Sequence, residues 1–589
     1  MTHDSSTPPL PGRPVRLASL ALILALALGA LAAGASWAWF NRPVMIEESW
    51  NEPLASVSFA PFRRGQSPLA KIYPTPAQVE EDLRALQGLA QGVRTYTSRE
   101  GLERVPEMAS RLGLKVIQGA WLGSEVEEKG RVINRKEIDA LIASANAYPN
   151  EVQRVIVGNE VLLRNDLKPD ELIAYIREVK SKIKQPVSYA DVWAFYLKYP
   201  EVAREVDYLT IHILPFWEDE PVTLEEAEDH VVKIVQRIRA AFPDKPILIG
   251  ETGWPSLGRD RGPAHVNTVN AARFVRKMAA LADQHGFDYN IVEAFDQPWK
   301  SALENTVGAA WGILDVERRA KFGMSGPVIE VPDWRLRAGI ALLGGLVAGA
   351  VLGAGVSGFG RQLVLVLAAQ ALSWLAVTAC FHAQAVSFQW WQDIWAPFRG
   401  ALAVLTAWLS LRRMALLLGS KREAAKTPRW GLETIAAING FYALIWTALL
   451  VVDGRYRDIP VIDFGAAALG ILLLLGLSWA TAGVRGLSGA QSLTGAAVWG
   501  QDSGMPDRCR ARGGWILGIG LPLAVLAAPI SEGLAIIGQD FVHDHPGLSE
   551  QVPLVLHAMV SNVEINGWAV MLAIMALPYL AARIKGRNR

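Results

Sequence analysis

Two glutamates in this sequence stand where a carboxylate needs a reason to be. Glu160 closes the apolar run VQRVIVGNE, and Glu251 follows ILIG in PILIGETGW. Both runs read as short strands rich in β-branched residues. An ionised carboxyl beside such a run is costly unless it has a partner or a task. One such glutamate alone fits a salt-bridged structural residue. Two of them, facing each other across a shared opening, fit a pair that divides its chemistry between a protonated and an ionised carboxyl.

Such a pair needs a frame that brings distant strand ends together. ASVSFAPF, GVRTYT, KVIQGAWL, VQRVIVGNE, PVSYADVW, DYLTIHILPF, PILIGETGW and DYNIVEAFD are eight strand-like runs. Amphipathic helical stretches separate most of them. TPAQVEEDLRALQGL carries Thr75 as a cap and Pro76 in its first turn. KPDELIAYIREVKSKI is another, and TLEEAEDHVVKIVQRIRAAF places Val231, Ile234, Val235 and Ile238 on one stripe. Eight βα units in roughly 280 residues match an α/β fold of the (β/α)8 TIM-barrel type, whose reacting groups sit at the C-terminal strand ends. Glu160 then ends the fourth strand and Glu251 the seventh. A doubly wound sheet is the rival, but no run is followed by GxGxxG or a phosphate loop.

VGNE, GETGWPS and AFDQPWK, in that order on the fourth, seventh and eighth runs, resemble the signature segments of glycoside hydrolase family 17. That family contains β-1,3-glucanases and glucan transferases. WGILDVERRAKF resembles the family's closing segment, and the likeness covers roughly residues 55–325. A barrel followed by apolar helices is also similar to bacterial membrane-bound β-(1,3),(1,6)-glucan transferases. The resemblance implies that Glu160 is the general acid/base and Glu251 the nucleophile of a retaining mechanism, with carboxyls about 5–5.5 Å apart. It implies that Asn159 hydrogen-bonds the sugar 2-hydroxyl. Where Gln297 stands the family often has Glu, so this sequence departs from the pattern there.

Other residues at predicted strand ends suit a carbohydrate cleft, because apolar sugar faces stack on rings. Tyr96, Trp121, Trp193, Phe216, Trp217, Trp254 and Trp299 each read alone as core or as binding residue; as a set around one mouth they read as binding. His212 either orients Glu251 or is a satisfied core histidine. Glu293, Asp296 and Lys300 either hydrogen-bond sugar or hold a polar network. No metal site and no cofactor is expected. His543 and His545 in VHDHPG read as solvated.

The 589 residues are 51% hydrophobic, and Lys+Arg 58 against Asp+Glu 57 argues against a nucleic-acid partner. The balance is uneven. Through Asp333 there are 38 basic and 44 acidic residues, leaving 20 and 13 beyond it, so an acidic front half precedes an apolar, mildly basic back half. This reads as a water-exposed domain fused to a membrane domain. The two cysteines, Cys380 and Cys509, both lie in the back half, so no disulfide supports the front.

Residues 1–16 read as a cytoplasmic tail, 17–40 as an anchor, 41–333 as the extracytoplasmic barrel and 334–589 as a membrane domain of about seven helices. LAAGASWAW offers small residues for signal-peptide cleavage, but the length of Leu17–Phe40 and its Trp37 and Trp39 favour an uncleaved anchor. Further spans are expected at Leu336–Phe359, Gln362–Gln384, Trp395–Leu411, Gly431–Val452, Ile462–Val484, Gly514–Gly538 and Val560–Ala582. The third is short and carries Arg399.

Arg412, Arg413, Lys421, Arg422, Lys426 and Arg429 then share one side with Arg485, Arg508, Arg510 and Arg512, with Arg583, Lys585, Arg587 and Arg589, and with Arg13 and Arg16. AVSFQWWQD, DGRYRD and QDFVHDHPGLSE fall on the opposite side, with Arg335 and Arg337 a small violation. The expectation is a bacterial inner-membrane protein with both termini cytoplasmic and the lipid bilayer as a partner. Glu532 and Glu564 either sit near span ends or pair within the bundle, or they help it bind or pass a glucan or lipid-linked acceptor.

Three activities fit. A retaining transferase would cleave β-1,3-glucan and pass the glycosyl unit to another glucan, a β-1,6 branch being one outcome. An endo-β-1,3-glucanase would let water take that unit. A glucan-binding or transport protein would merely grip the chain, and the intact carboxylate pair argues against it. A nucleotide-sugar synthase is argued against by inner loops of only about 19 and 30 residues, too small for a catalytic domain.

Overall fold

The structure, a computed structural model, describes residues 20–47, 49–419, 431–482, 488–499 and 507–587. The eight expected strand runs all form parallel strands, and these close into one barrel in chain order. They are β1 (Val57–Ser58), β2 (Gly92–Arg94), β3 (Lys115–Ala120), β4 (Val152–Asn159), β5 (Val187–Val192), β6 (Leu209–His212), β7 (Ile247–Thr252) and β8 (Asp288–Ile291). Closure is made by Val57 of β1 against Ile291 of β8.

Helices cover the outside of the barrel, as each must to bury its apolar stripe. Pro76–Ala85 starts at Thr75 with a reciprocal capping box to Gln78, and Leu224–Ala241 starts the same way at Thr223 with Glu226. The second helix buries Val231, Ile234, Val235 and Ile238 against the barrel core.

Beyond the barrel, the apolar runs form helices as expected. Among the described residues eight are long and apolar enough to cross a membrane: Leu20–Phe40, Trp334–Gly353, Phe359–Ala385, Trp390–Leu418, Leu432–Val452, Val461–Ala480, Arg512–Ala535 and Val563–Ala581. The helix expected to be short runs 29 residues instead. Arg399 does not shorten it, because both guanidinium edges meet Asp463 of a neighbouring helix at 2.8 Å. An intrahelical Arg is tolerated there because its charge is paired within the bundle. The first helix belongs to this bundle: Trp37 stacks on Trp374 at 4.3 Å. Arg337, the apparent violation, pairs with Asp333 at 2.8 Å. Arg13, Arg16, Lys421, Arg422, Lys426, Arg429, Arg485 and Arg589 lie outside the described residues.

The two chain segments that cross between barrel and bundle pair with each other, Val44 with Val328, at N···O distances of 2.8 and 2.9 Å. The three loops expected on the barrel's side all bond to it. Arg64 donates to the Ser387 carbonyl at 2.7 Å, Arg455 pairs with Asp219 at 2.7 Å, and His545 meets Glu220 at 2.5 Å. His545 is therefore an interface residue and not a solvated one; the His543 side chain lies outside the described residues.

Glu532 and Glu564 sit near span ends, as the first of the expected alternatives has it: Glu532 near the end of Arg512–Ala535 and Glu564 at the start of Val563–Ala581. Among the described residues the hydrogen-bond partners of their carboxyls belong to the barrel and not to the bundle. Glu532 accepts from the Arg259 guanidinium and, at 2.7 Å, from the Gly262 N–H; Glu564 accepts from the Asp260 N–H at 2.9 Å. Both acids reach upward into the barrel loop Gly253–Asn267, where they seat it on the bundle. Their burial is compensated by that contact, and no glucan path is needed to explain them.

Candidate active site

The strand register breaks where the candidate side chains emerge. Shifts fall between Ile156 and Asn159, between Ile211 and His212, and between Ile249 and Thr252. Such irregularities re-aim a side chain that strict alternation would direct elsewhere. Gly158 has φ +86°, and a Cβ there would lie 2.8 Å from the Val161 side chain. Glu160 follows with φ +53°, held by its N–H to the Ala190 carbonyl at 2.7 Å. A non-glycine residue in the left-handed region is costly, and here it points a carboxyl into the mouth.

Carboxylate oxygens of Glu160 and Glu251 and a ring nitrogen of His212 all lie within 4.8 Å of one another. His212 stands between the acids, its Nδ1 2.9 Å from Glu160 and its Nε2 3.6 Å from Glu251. It is buried, yet it serves the site, and its shorter contact is with Glu160 rather than with Glu251.

Arg94, which sequence reasoning missed, is the centre of the polar floor. Buried at the end of β2, it donates to Glu251 at 3.1 Å, to the Gly250 carbonyl at 2.7 Å and to Asn159 Oδ1 at 2.5 Å. The signal was present as a lone cation inside the strand run GVRTYT. Burial pushes the Glu251 carboxyl up, but His212, Arg94 and Lys300 outweigh it and hold the group below its ordinary range. The three donor atoms of Glu160, His212 and Glu251 could also surround a cation. However, the Glu251 oxygen facing His212 is the one bonded to the Arg94 guanidinium, so an ion there would confront a fixed positive charge.

Behind this pair lies a second acidic layer. Glu293 is fully buried, bonded by Lys300 at 2.8 Å, and burial raises its carboxyl to about 7. It contacts Lys300 rather than the open cleft. Asp296 is corrected from sugar contact to framework: it accepts from Lys321 at 2.7 Å and from the Gly312 N–H at 2.9 Å. Gln297 is likewise framework, donating to Phe295 O at 3.1 Å and accepting from Trp299 Nε1 at 2.9 Å. Glu304, also missed, sits half-buried near Lys300, Glu160 and Glu251, and burial raises its carboxyl. It lies in a helix after β8, where no strand pattern could mark it.

The aromatic set divides. Phe216 and Trp254 are 0% and 2% exposed, and the Trp254 indole N–H is bonded to the His265 carbonyl at 2.9 Å. Both are core packing, corrected from sugar stacking because neither ring face is free. Tyr96 is half-buried beneath Arg94, with its hydroxyl donating to Ser58 at 3.0 Å. Trp121 is 41% exposed, with the Arg164 guanidinium 4.4 Å from its ring centre. Trp193, Trp217 and Trp299 are half-buried at the mouth.

A closed barrel carrying two close carboxylates at the ends of β4 and β7 defines a glycosidase of the paired-acid class. A family model described as a BtgE/BtgC glycoside hydrolase domain matches residues 56–312. A glucan 1,3-beta-glucosidase of Arthroderma benhamiae is 30% identical over 279 residues, covering 44% of this chain and 87% of that one. On these matches the chain belongs to that glycoside hydrolase family, family 17, which its VGNE and GETGWPS segments resemble.

An Aspergillus clavatus protein named "Probable glucan endo-1,3-beta-glucosidase btgC" is 30% identical over 306 residues, 46% of this chain and 41% of that one. The chain thus spans less than half the length of that longer relative. The crystal structure of a glycoside hydrolase family 17 beta-1,3-glucanosyltransferase from Rhizomucor miehei is 26% identical, covers 46% of this chain and 95% of that one, and superposes with a TM-score of 0.39.

Proposed function

We propose that this chain is a membrane-spanning, retaining β-1,3-glucan transferase with Glu251 as nucleophile and Glu160 as general acid/base. The observation that carries the reading is the Glu160–Glu251 oxygen approach of no more than 4.8 Å, with His212 between them. A direct displacement by a side chain needs carboxyls about 5–5.5 Å apart, whereas a water-interposing mechanism needs about 6.5–9.5 Å.

The surroundings support the division of roles. Arg94 and His212 favour the ionised form of Glu251, as a nucleophile requires. His212 links the pair, its Nδ1 2.9 Å from Glu160 and its Nε2 3.6 Å from Glu251, so one imidazole positions both carboxyls. Glu160 then protonates the departing sugar oxygen while Glu251 bonds the anomeric carbon. In the second half-reaction Glu160 takes the proton from an acceptor hydroxyl, and the ester to Glu251 is broken with net retention. Asn159, whose Oδ1 is already held by Arg94, presents its amide N–H groups to the sugar 2-hydroxyl.

Substrate and placement rest on the relatives and the helices. The named relatives are β-1,3-glucan enzymes, and the barrel loops face the helical bundle on the side of its aromatic and acidic loops. We place the bundle in the inner membrane of a bacterial cell with the barrel outside. The test is the full chain in detergent with a reduced β-1,3-gluco-oligosaccharide. Products longer than the substrate are expected. Only shorter products would make the enzyme a glucanase, and an inert mixture would leave a glucan-binding protein.

A further inference from the structure

The four barrel loops on one half of the mouth are bonded to the helical domain, and the four on the other half are not. After β1, Arg64 reaches the Ser387 carbonyl. After β6, Asp219 takes Arg455, and the Trp217 ring lies 5.4 Å from Tyr456. After β7, Arg259, Asp260 and Gly262 meet Glu532 and Glu564. After β8, Thr306 donates to Asp458 at 2.6 Å, and Gln389 donates to Pro298 O at 3.0 Å and Ser301 Oγ at 2.9 Å. The loops after β2, β3, β4 and β5 make no hydrogen bond, ion pair or ring contact with the helical domain among the described residues.

This division runs between the two carboxylates. Glu160 belongs to β4 on the free half and Glu251 to β7 on the seated half. Trp121, after β3, stands exposed on the free half. On the seated half Trp217, after β6, stands against Tyr456 of the helical domain. Beside Trp217, Arg261 is 2% exposed with its guanidinium 5.5 Å from that ring centre. Its Nη1 donates to the Phe216 carbonyl, while its Nη2 has no acceptor among the described residues. That guanidinium lies under the Trp217 ring and ties the loop after β7 to the loop after β6.

We infer that the outer loop Asp453–Pro460 of the helical domain, through Tyr456 against Trp217, closes one end of the glucan cleft, so that the enzyme works from a chain end and not within a chain. This rests on the glucan reading above. The barrel alone would have a cleft open at both sides; the seated barrel has a stop. The length of the fragment held between the carboxylates and that stop is then set by the helical domain.

The experiment uses the full chain in bilayer nanodiscs with a long linear β-1,3-glucan, following viscosity and fragment length together. A single short fragment length with no early loss of viscosity is expected. Early viscosity loss with a ladder of lengths overturns the inference while leaving the glucan reading intact. Absence of any turnover, on this polymer and on short oligosaccharides, removes that reading and the inference with it. The Tyr456→Ala variant is expected to shift the fragment to greater length or to a mixture, and Tyr456→Phe to keep it. An unchanged single length in Tyr456→Ala overturns the assignment of the stop to Tyr456.

Discussion

Arg94 and Glu251 meet at 3.1 Å across the barrel, joining the end of β2 to the end of β7. The guanidinium is buried, so little solvent screens the contact. Removing the cation takes away one of the influences, after His212, that hold Glu251 below its ordinary range, and so raises its pKa. Arg94→Gln should therefore move the acid limb of kcat/KM upward, by about one to three pH units for the loss of a close opposite charge. A pH profile of kcat/KM checks this, since it reports groups of the free enzyme. An unmoved limb would detach Arg94 from the nucleophile.

The two glutamates should separate by leaving group. Glu251→Gln removes the bond-forming oxygen, so turnover should vanish for every substrate while oligosaccharide binding persists. Glu160→Ala should slow cleavage of glucan by about 10²–10⁴-fold, the usual worth of a positioned proton donor. An aryl glycoside whose phenol leaves without a proton should lose far less in its first step. Steady-state and burst kinetics on both substrates distinguish the roles.

Glu293 should make stability fall as pH rises. Burial lifts its carboxyl from an ordinary 4.5 to about 7, so the folded chain holds a proton that the unfolded chain releases between those values. Its contribution is present below about pH 4.5 and lost as pH passes through about 7. Asp191, which burial also raises to about 7, has the same sign, so Glu293→Gln should flatten only part of the slope. Thermal unfolding of the full chain from pH 4 to pH 8 measures it, and a slope unchanged by the substitution would exclude Glu293.

Arg259 and Glu532 are each 1% exposed in side chain and pair across the barrel–bundle junction. Glu532→Leu leaves a buried guanidinium without its anion, a loss on the order of 3–5 kcal/mol. Arg259→Met combined with Glu532→Leu should recover much of that loss, because neither charge is then stranded. Melting temperatures of the two variants in detergent give the comparison. A double variant no better than the single one would mean that the pair's value lies outside its charges.

Local periodicity and hydropathy determined much of this protein. Alternating strand and helix runs, Thr75 and Thr223 at their caps, and uncharged stretches of bilayer length are properties of neighbouring residues. So is the appearance of Glu160 and Glu251 at strand ends, because an acid closing an apolar run is anomalous wherever the chain goes. What neighbouring residues could not carry was which partners meet. Arg94 reaches a carboxylate 157 positions away, and Glu532 reaches an arginine 273 positions away. Phe216 and Trp254 sit at strand ends like Trp121, yet packing alone buried the first two and left the third open. Burial, charge pairing and the seating of a mouth on a bundle are sums over residues distant in the chain, and only the closed fold performs those sums.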